Sequence, residues 1–251
     1  MVCINKPAGL IVHADGRKGE ESVVDWMLVH YPEAKDVGEP KDWNIEERIK
    51  NQENASIPNS KFLIPNSTPA LRAGVVHRLD RDTSGVMVLA KNQKAFLHLK
   101  KQFQEREIEK IYHAFVYGVM KKDEGTIDRP IARSRKDFRL WSAQRGGRGE
   151  MREAITDYEV LLRADIYTFV EVRPKTGRTH QIRVHFKAIN HPIVCDKLYA
   201  PKQKPILDFE RLALHARTLK LQNLNGEPVE VTAPYPEDFE KAIKKSGYLP
   251  H

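Results

Sequence analysis

The chain has 251 residues, with 42 Lys and Arg against 34 Asp and Glu, a formal charge of +8 and a pI near 9.3. That length allows one large domain, or two closely joined subdomains, around a sizeable core, and the composition excludes collagenous and low-complexity chains. The basic balance favours a polyanionic partner, most often nucleic acid, although a merely soluble basic protein would carry the same excess. Cys3 and Cys195 form no CxxC and no zinc spacing, which points to free thiols in a reducing compartment. The N-terminal run MVCINKPAGLIVHADG has no basic segment followed by a long apolar one, and Val86–Ala90 is too short to span a bilayer. The expected location is therefore cytoplasmic, without a membrane partner.

In chain order, residues 2–14 read as two short strands around a turn at Pro7–Gly9. Ser22 has the chemistry of an N-cap, and Val23, Val24, Trp26, Met27 and Leu28 give the short helix after it an apolar side that ends by Pro32. Residues 33–72 are rich in Lys, Asp, Glu, Asn and Pro and read as a long, mostly exposed insertion, with a short helix near Ile45–Lys50 and an apolar patch at Phe62–Ile64. GVVHRL and GVMVLA then read as strands flanking a polar turn, Asp80–Ser84. Asn92 caps a helix whose Ala95, Phe96, Leu99 and Phe103 recur at helical spacing, with lysines on its other face.

Between 110 and 175 the segments IYHAFVYG, FRLWSA, ITDYEVLL and YTFVEVRP read as strands. The GGRG at 146–149 reads as a hairpin tip rather than a phosphate cradle, because no helix pattern follows it. Thr179 is a candidate cap for a helix to about Asn190, with Ile182, Phe186 and Ile189 on its buried face. LALHARTLKLQ and PVEVTAP supply two more strands and PEDFEKAIKK a last helix. Strands and helices do not alternate regularly, so the expected class is α+β, with a mixed, mainly antiparallel central sheet and flanking helices.

Two clusters carry chemistry. In His77-Arg78-Leu79-Asp80-Arg81-Asp82-Thr83-Ser84-Gly85, carboxylates and guanidiniums meet where a strand becomes a tight turn. Taken alone, this is a charged β-turn that satisfies its own backbone. The second cluster, Arg173-Pro174-Lys175-Thr176-Gly177-Arg178-Thr179-His180-Gln181-Ile182-Arg183-Val184-His185, crowds cations around one glycine turn and a helix start. Arg183 lies between apolar Ile182 and Val184, and a partly buried guanidinium needs an anion. Asp80 is a candidate, and such a pair would favour its charged carboxylate and fix its orientation. There is no GxxxxGK(S/T), no GxGxxG after a strand and no HExxH, so nucleotide-binding loops and a zinc centre are not expected.

These segments, in this order, resemble the RluA family of pseudouridine synthases over nearly the whole chain. Asn5-Lys6-Pro7-Ala8-Gly9-Leu10 with Val12-His13 looks like the family's first motif, and His77-Arg78-Leu79-Asp80 with Thr83-Ser84-Gly85 looks like its catalytic loop. Lys110-Ile111-Tyr112 with Ala114 and Gly118 is similar to the strand that carries its active-site tyrosine. Gly177-Arg178-Thr179-His180-Gln181-Ile182-Arg183-Val184-His185 resembles a third signature, and Leu212–Leu219 with Ala233-Pro234-Tyr235-Pro236-Glu237-Asp238-Phe239 resembles the C-terminal part.

The resemblance implies an RNA-uridine isomerase acting on ribosomal or transfer RNA in a basic cleft, with no cofactor and no metal. It implies Asp80 as the catalytic aspartate, Tyr112 packed on the target base, and Arg183 paired with Asp80. Arg78, His77, Ile182, Arg178 and Lys6 are implied at the substrate. A carboxylate can attack C1′ or C6 as a nucleophile, or take a proton from the ribose at C2′, and the sequence leaves these routes open. The chain departs from the family pattern in the insertion at 33–72 and in Cys195, where relatives often have glycine. A single catalytic domain over 1–251 is expected, without a separate N-terminal RNA-binding domain, and the expected state is a monomer. Two rival functions are a non-catalytic RNA-binding protein on the same fold, and a carboxylate-dependent glycosidase or nucleosidase. Asp82 is a poor acid/base partner for the latter because it adjoins the same turn.

Overall fold

The computed structural model describes residues 1–13, 20–39, 73–135, 137, 139–144 and 147–248. The chain opens on β1 (Val2–Lys6), which pairs antiparallel with β2 (Ser84–Leu89). Among the described residues, the second strand expected within 2–14 does not form. Ile11 makes only an isolated bridge to Ser22, because the neighbouring backbone is committed elsewhere: Gly9 N–H donates to the Arg81 carbonyl, and the Leu10 carbonyl accepts from Lys6 Nζ. Ser22 starts α1 (Val23–His30) as expected. Its hydroxyl accepts from Asp25 N–H at 3.2 Å while the Asp25 carboxylate accepts from Ser22 N–H at 2.8 Å, a reciprocal cap.

A 3-10 turn over Pro32–Asp36 follows, at the start of the segment read as mostly exposed: Ala34 and Val37 are buried, while Glu33, Lys35 and Asp36 are exposed. Residues 40–72, including Ile45–Lys50 and Phe62–Ile64, lie outside the described residues. The expected strand GVVHRL is also corrected. Val75 bridges Leu89, but the segment does not pair further, because the His77 side chain accepts the Val88 N–H at 3.0 Å in place of a backbone carbonyl.

Asn92 caps α2 (Gln93–Gln104), its side-chain oxygen accepting from Ala95 N–H at 2.9 Å, and Ala95, Phe96 and Leu99 are buried. Then come β3 (Glu109–Tyr117), β4 (Glu124–Asp128), β5 (Ile131–Arg133), β6 (Trp141–Ser142), β7 (Arg148–Arg152), β8 (Ile155–Arg163) and β9 (Tyr167–Pro174). β4 and β7 escape the sequence reading because their exposed, charged residues hide the alternation, and β5 because it is only three residues long. β5 sits between β6 and β7 in a small three-stranded sheet. Arg148 and Gly149, expected in a hairpin tip, therefore lie in an outer strand, and Gly146 lies outside the described residues.

Helix α3 (Gln181–Ala188) starts from His180 in a left-handed conformation, φ 55°, with no side-chain cap. Thr179 is thus not its cap. Gln181 organises the turn instead, its side-chain oxygen accepting from Arg178 N–H at 2.9 Å and from the Thr176 hydroxyl at 2.7 Å. β10 (Leu214–Gln222), β11 (Pro228–Thr232) and α4 (Glu237–Ser246) complete the chain.

The large sheet runs β1-β2-β10-β3-β9-β8-β4, with β11 on β10, and only the β2–β10 pairing is parallel. This is the expected mixed, mainly antiparallel α+β architecture. Phe115, Phe169, Phe186 and Phe239 fill the core beneath β3 and β9, and Met27, Met87, Leu89 and Leu99 fill another against β2. Each such side chain contributes roughly 1.5–3 kcal/mol by leaving water. Among the described residues, no helix is long and apolar enough to cross a membrane.

Two features of the centre yield predictions. Gly85 has φ +117°, and a Cβ there would stand 2.1 Å from the Ala216 carbonyl oxygen, so only glycine lets β2 approach β10. Gly85→Ala is expected to cost about 3 kcal/mol or more, read from the urea midpoint. A variant as stable as the wild type would show that the two strands can part without harm.

His215, fully buried, shares a 2.9 Å hydrogen bond with the Ser84 hydroxyl, and burial pushes its pKa down to about 4. The unfolded imidazole takes a proton near its ordinary pKa while the folded one does not. Stability is therefore complete above about pH 6.5 and falls as the pH drops towards 4, by about 3 kcal/mol in all. Melting temperatures at pH 7 and pH 5 check this, and His215→Asn should flatten the difference.

Candidate active site

Asp80 lies in the loop between the irregular Val75–Leu79 segment and β2. Glycine at 85 and the clamped backbone on either side hold that loop close to the sheet. Arg183 reaches it from the first turn of α3, with Nη1 donating to Asp80 Oδ2 at 3.0 Å. The pair foreseen from sequence is present, but Asp80 is not the main anchor of the guanidinium. Asp196, fully buried, accepts from Arg183 Nε and Nη2 at 2.8 Å each and from the N–H groups of Leu198 and Tyr199 at 3.0 Å. Burial works against the Arg183 charge, but the hydrogen bonds and charge of Asp196, with those of Asp80, hold its pKa above the ordinary value. The result is a fixed cation with one edge clamped and one nitrogen turned to the Asp80 carboxylate, whose side chain is 20% exposed.

That carboxylate faces a cavity of about 570 Å³, inside the roughly 300–1,000 Å³ typical of ligand pockets. Tyr112 enters its wall from β3, where its neighbours are Val172 on β9 and Ala216 on β10. Desolvation, reinforced by the Asp80 charge, pushes its phenol pKa well up, so the ring is neutral at physiological pH. A planar face and a carboxylate thus border one space. A smaller cavity of about 340 Å³ adjoins the first, and Asp80, Arg183, Arg78 and His180 line both.

Ile182 and Arg178 also line the larger cavity, Arg178 with its Nε on the Glu153 carbonyl at 2.9 Å. Arg78 is exposed and makes no ion pair among the described residues. His77 is in the cavity wall, stacked on Phe103 at 4.7 Å. Desolvation lowers its pKa to about 3, with Lys110 as a lesser cause, so it is a neutral acceptor for the Val88 N–H. Lys6 is the correction: it is absent from the cavity wall and fully buried. Its ammonium donates to the carbonyls of Pro7 and Leu10 at 2.8 Å and of Arg81 at 3.0 Å, which commits its three protons. Through the Arg81 carbonyl it holds the backbone of the loop that carries Asp80. Its pKa is lowered to about 8, chiefly by burial.

The sequence reading missed three members of the site. Asp196, which follows Cys195, was not singled out. His180 places Nε2 at 4.0 Å from Asp80 Oδ2 and Nδ1 at 2.9 Å from the Tyr199 hydroxyl. Tyr199 accepts the Trp141 N–H at 3.0 Å and lies under the Arg183 guanidinium, 5.0 Å from ring centre to Cζ. His180 (φ 55°) and Cys195 (φ 57°), which precedes Asp196, both hold left-handed backbone there, and neither is visible in a sequence. Both cysteines are free, and Cys195 donates its thiol to the Phe209 carbonyl. Among the described residues, no group of three or more His, Cys, Asp or Glu side chains could hold a metal ion.

A sequence model described as RNA pseudouridylate synthase matches residues 1–188. An uncharacterized RNA pseudouridine synthase of Synechocystis is 34% identical over 247 residues, 97% of this chain and 65% of that one. A protein named ribosomal large subunit pseudouridine synthase D, from Haemophilus ducreyi, is 34% identical over 256 residues, 97% of this chain and 67% of its own length. The chain thus spans about two thirds of the length of these curated relatives. Among solved structures, human RNA pseudouridylate synthase domain containing 4 superposes with a TM-score of 0.69 at 25% identity, over 99% of this chain and 91% of that one. Human RNA pseudouridylate synthase domain containing 1 gives 0.56 at 32% identity, over 64% of this chain and 68% of that one. With sequence, fold and the order of the motifs in agreement, the chain belongs to the RNA pseudouridylate synthase family, in its RluA branch.

Proposed function

We propose that this protein isomerises uridine to pseudouridine in ribosomal or transfer RNA, with Asp80 as the reacting carboxylate. The observation that supports it above others is the Asp80 carboxylate, fixed by Arg183 at 3.0 Å and facing the same cavity as the Tyr112 ring. The reaction breaks the N1–C1′ bond, turns the uracil and joins C5 to C1′. Its atoms and electrons balance within the nucleotide, so it calls for no redox cofactor. Asp80 opens the glycosidic bond as nucleophile or as base, and Arg183 keeps its charge directed at the substrate. Tyr112 offers the freed uracil a stacking face worth about 1–3 kcal/mol.

A uridine within a folded RNA reaches this cavity only when unstacked, at a cost of a few kcal/mol. Arg78 and Arg178 supply phosphate contacts, and binding should weaken with salt. The printed name of the Haemophilus relative favours ribosomal RNA as the first substrate to try. We take the chain as one catalytic domain working as a monomer in the cytoplasm, where those RNAs are.

The test is tritium release from unmodified ribosomal and transfer RNA labelled at uridine C5. Release with the RNA chain intact is expected, since C5 loses its hydrogen when the new C–C bond matures. Liberated uracil would instead indicate a nucleosidase, and no release from either pool would return the protein to RNA binding without catalysis.

A further inference from the structure

Lys110 has no role in the reaction described above, yet it lines the same cavity. It lies two residues before Tyr112 on β3, so the two side chains share a face of the sheet. Its half-buried ammonium has one acceptor, the Thr176 carbonyl, at a long 3.5 Å, although an ammonium carries three N–H donors. Among the described residues it has no carboxylate partner.

Its neighbours on the cavity wall are cations. Arg106 follows the end of α2, and Lys175 and Arg178 lie in the turn before α3. Arg106 and Lys175 meet carboxylates at the largely exposed rim, Glu153 at 3.0 Å and Asp157 at 3.3 Å. Lys110, further inside, has none. Desolvation lowers its pKa to about 8, and the charges of Arg106 and Lys175 add to that. A buried cation among cations is stabilised by an anion, and a neutral carbonyl would satisfy its donors without offsetting the repulsion.

We propose that Lys110, with Arg106, Lys175 and Arg178 around it, forms a subsite for one phosphodiester of the RNA strand, beside the place of the target base. The subsite fixes the register of the strand, so that the base delivered to Tyr112 and Asp80 is the one next to the held phosphate. This rests on the RNA-isomerase reading, but it is tested separately from it.

The probe is a hexauridylate in which each phosphodiester in turn is replaced by a neutral methylphosphonate. Its dissociation constant is measured for wild type, Lys110→Gln and Lys110→Arg, with melting temperature as the check on folding. One linkage is expected to matter in particular. Neutralising it should weaken wild type and Lys110→Arg about tenfold, and Lys110→Gln hardly at all. Wild-type affinity should fall as the pH rises from 7 to 9, because the ammonium loses its charge, while Lys110→Arg holds its affinity.

Equal costs at every linkage in wild type and Lys110→Gln would overturn the proposal. So would a pH dependence that survives in Lys110→Arg, or no saturable binding of the unmodified hexamer by wild type at low salt. Tritium release separates this result from the broader one. Release with an indifferent Lys110 removes the subsite alone, whereas a specific linkage without any release keeps the subsite and removes the isomerase.

Discussion

Asp80→Ala should fold normally, bind RNA at least as well as wild type and lose tritium release by at least about 10³-fold. Folding survives because Arg183 does not depend on Asp80 for its compensation: Asp196 still takes two of its hydrogen bonds, so no bare charge is left buried. Affinity should not fall, because the substitution removes a negative charge from a wall otherwise rich in cations, and the change should stay within about threefold or favour binding. Single-turnover tritium release and a filter-binding titration on one preparation give both quantities. Turnover near that of wild type would remove Asp80 from the chemistry. A joint loss of affinity and turnover would make it a binding residue.

Asp196→Ala should have the opposite profile. The Asp196 carboxylate, fully buried, accepts from two guanidinium nitrogens and two backbone N–H groups. Its loss strands a buried cation and costs about 3–5 kcal/mol. In the molecules that remain folded, Arg183 has only Asp80 to turn to, and the carboxylate becomes tied to a swinging guanidinium. Thermal denaturation should therefore show a large drop, and turnover per folded molecule should fall as well. Intact turnover in a destabilised variant would confine Asp196 to stability and deny it a part in aiming Arg183.

The sequence revealed the elements whose causes are local. Ser22 and Asn92 cap helices through their own side chains, Ala95 to Leu99 repeat with the helical period, and β3, β9 and β10 carry long apolar runs. It was misleading where a side chain replaces a backbone partner. His77 takes the N–H that would have extended a strand through GVVHRL, and Lys6 gathers carbonyls from two separate loops. Neither substitution leaves a mark in periodicity.

The same division holds at the candidate site. Asp80, Tyr112 and Arg183 stand in dense motifs and were readable. Asp196 and Tyr199 sit in an ordinary-looking turn, and only the folded chain brings them beneath the guanidinium. Lys6 has the residue type of a phosphate ligand, and its burial shows a different task.

The order of strands also bears on how the chain is made. β10 lies between β2 and β3, yet it is synthesised after both, and His215 pairs with Ser84 across most of the sequence. Until residues 214–222 leave the ribosome, β1-β2 and β3-β9-β8-β4 are two separate sheets, each with a raw inner edge. Such late, long-range closure folds slowly and leaves those edges open to wrong partners. Asp80 precedes β2 of one sheet and Tyr112 lies on β3 of the other, so β10 works as a keystone: the two side chains come to border one cavity only once residues 214–222 are in place.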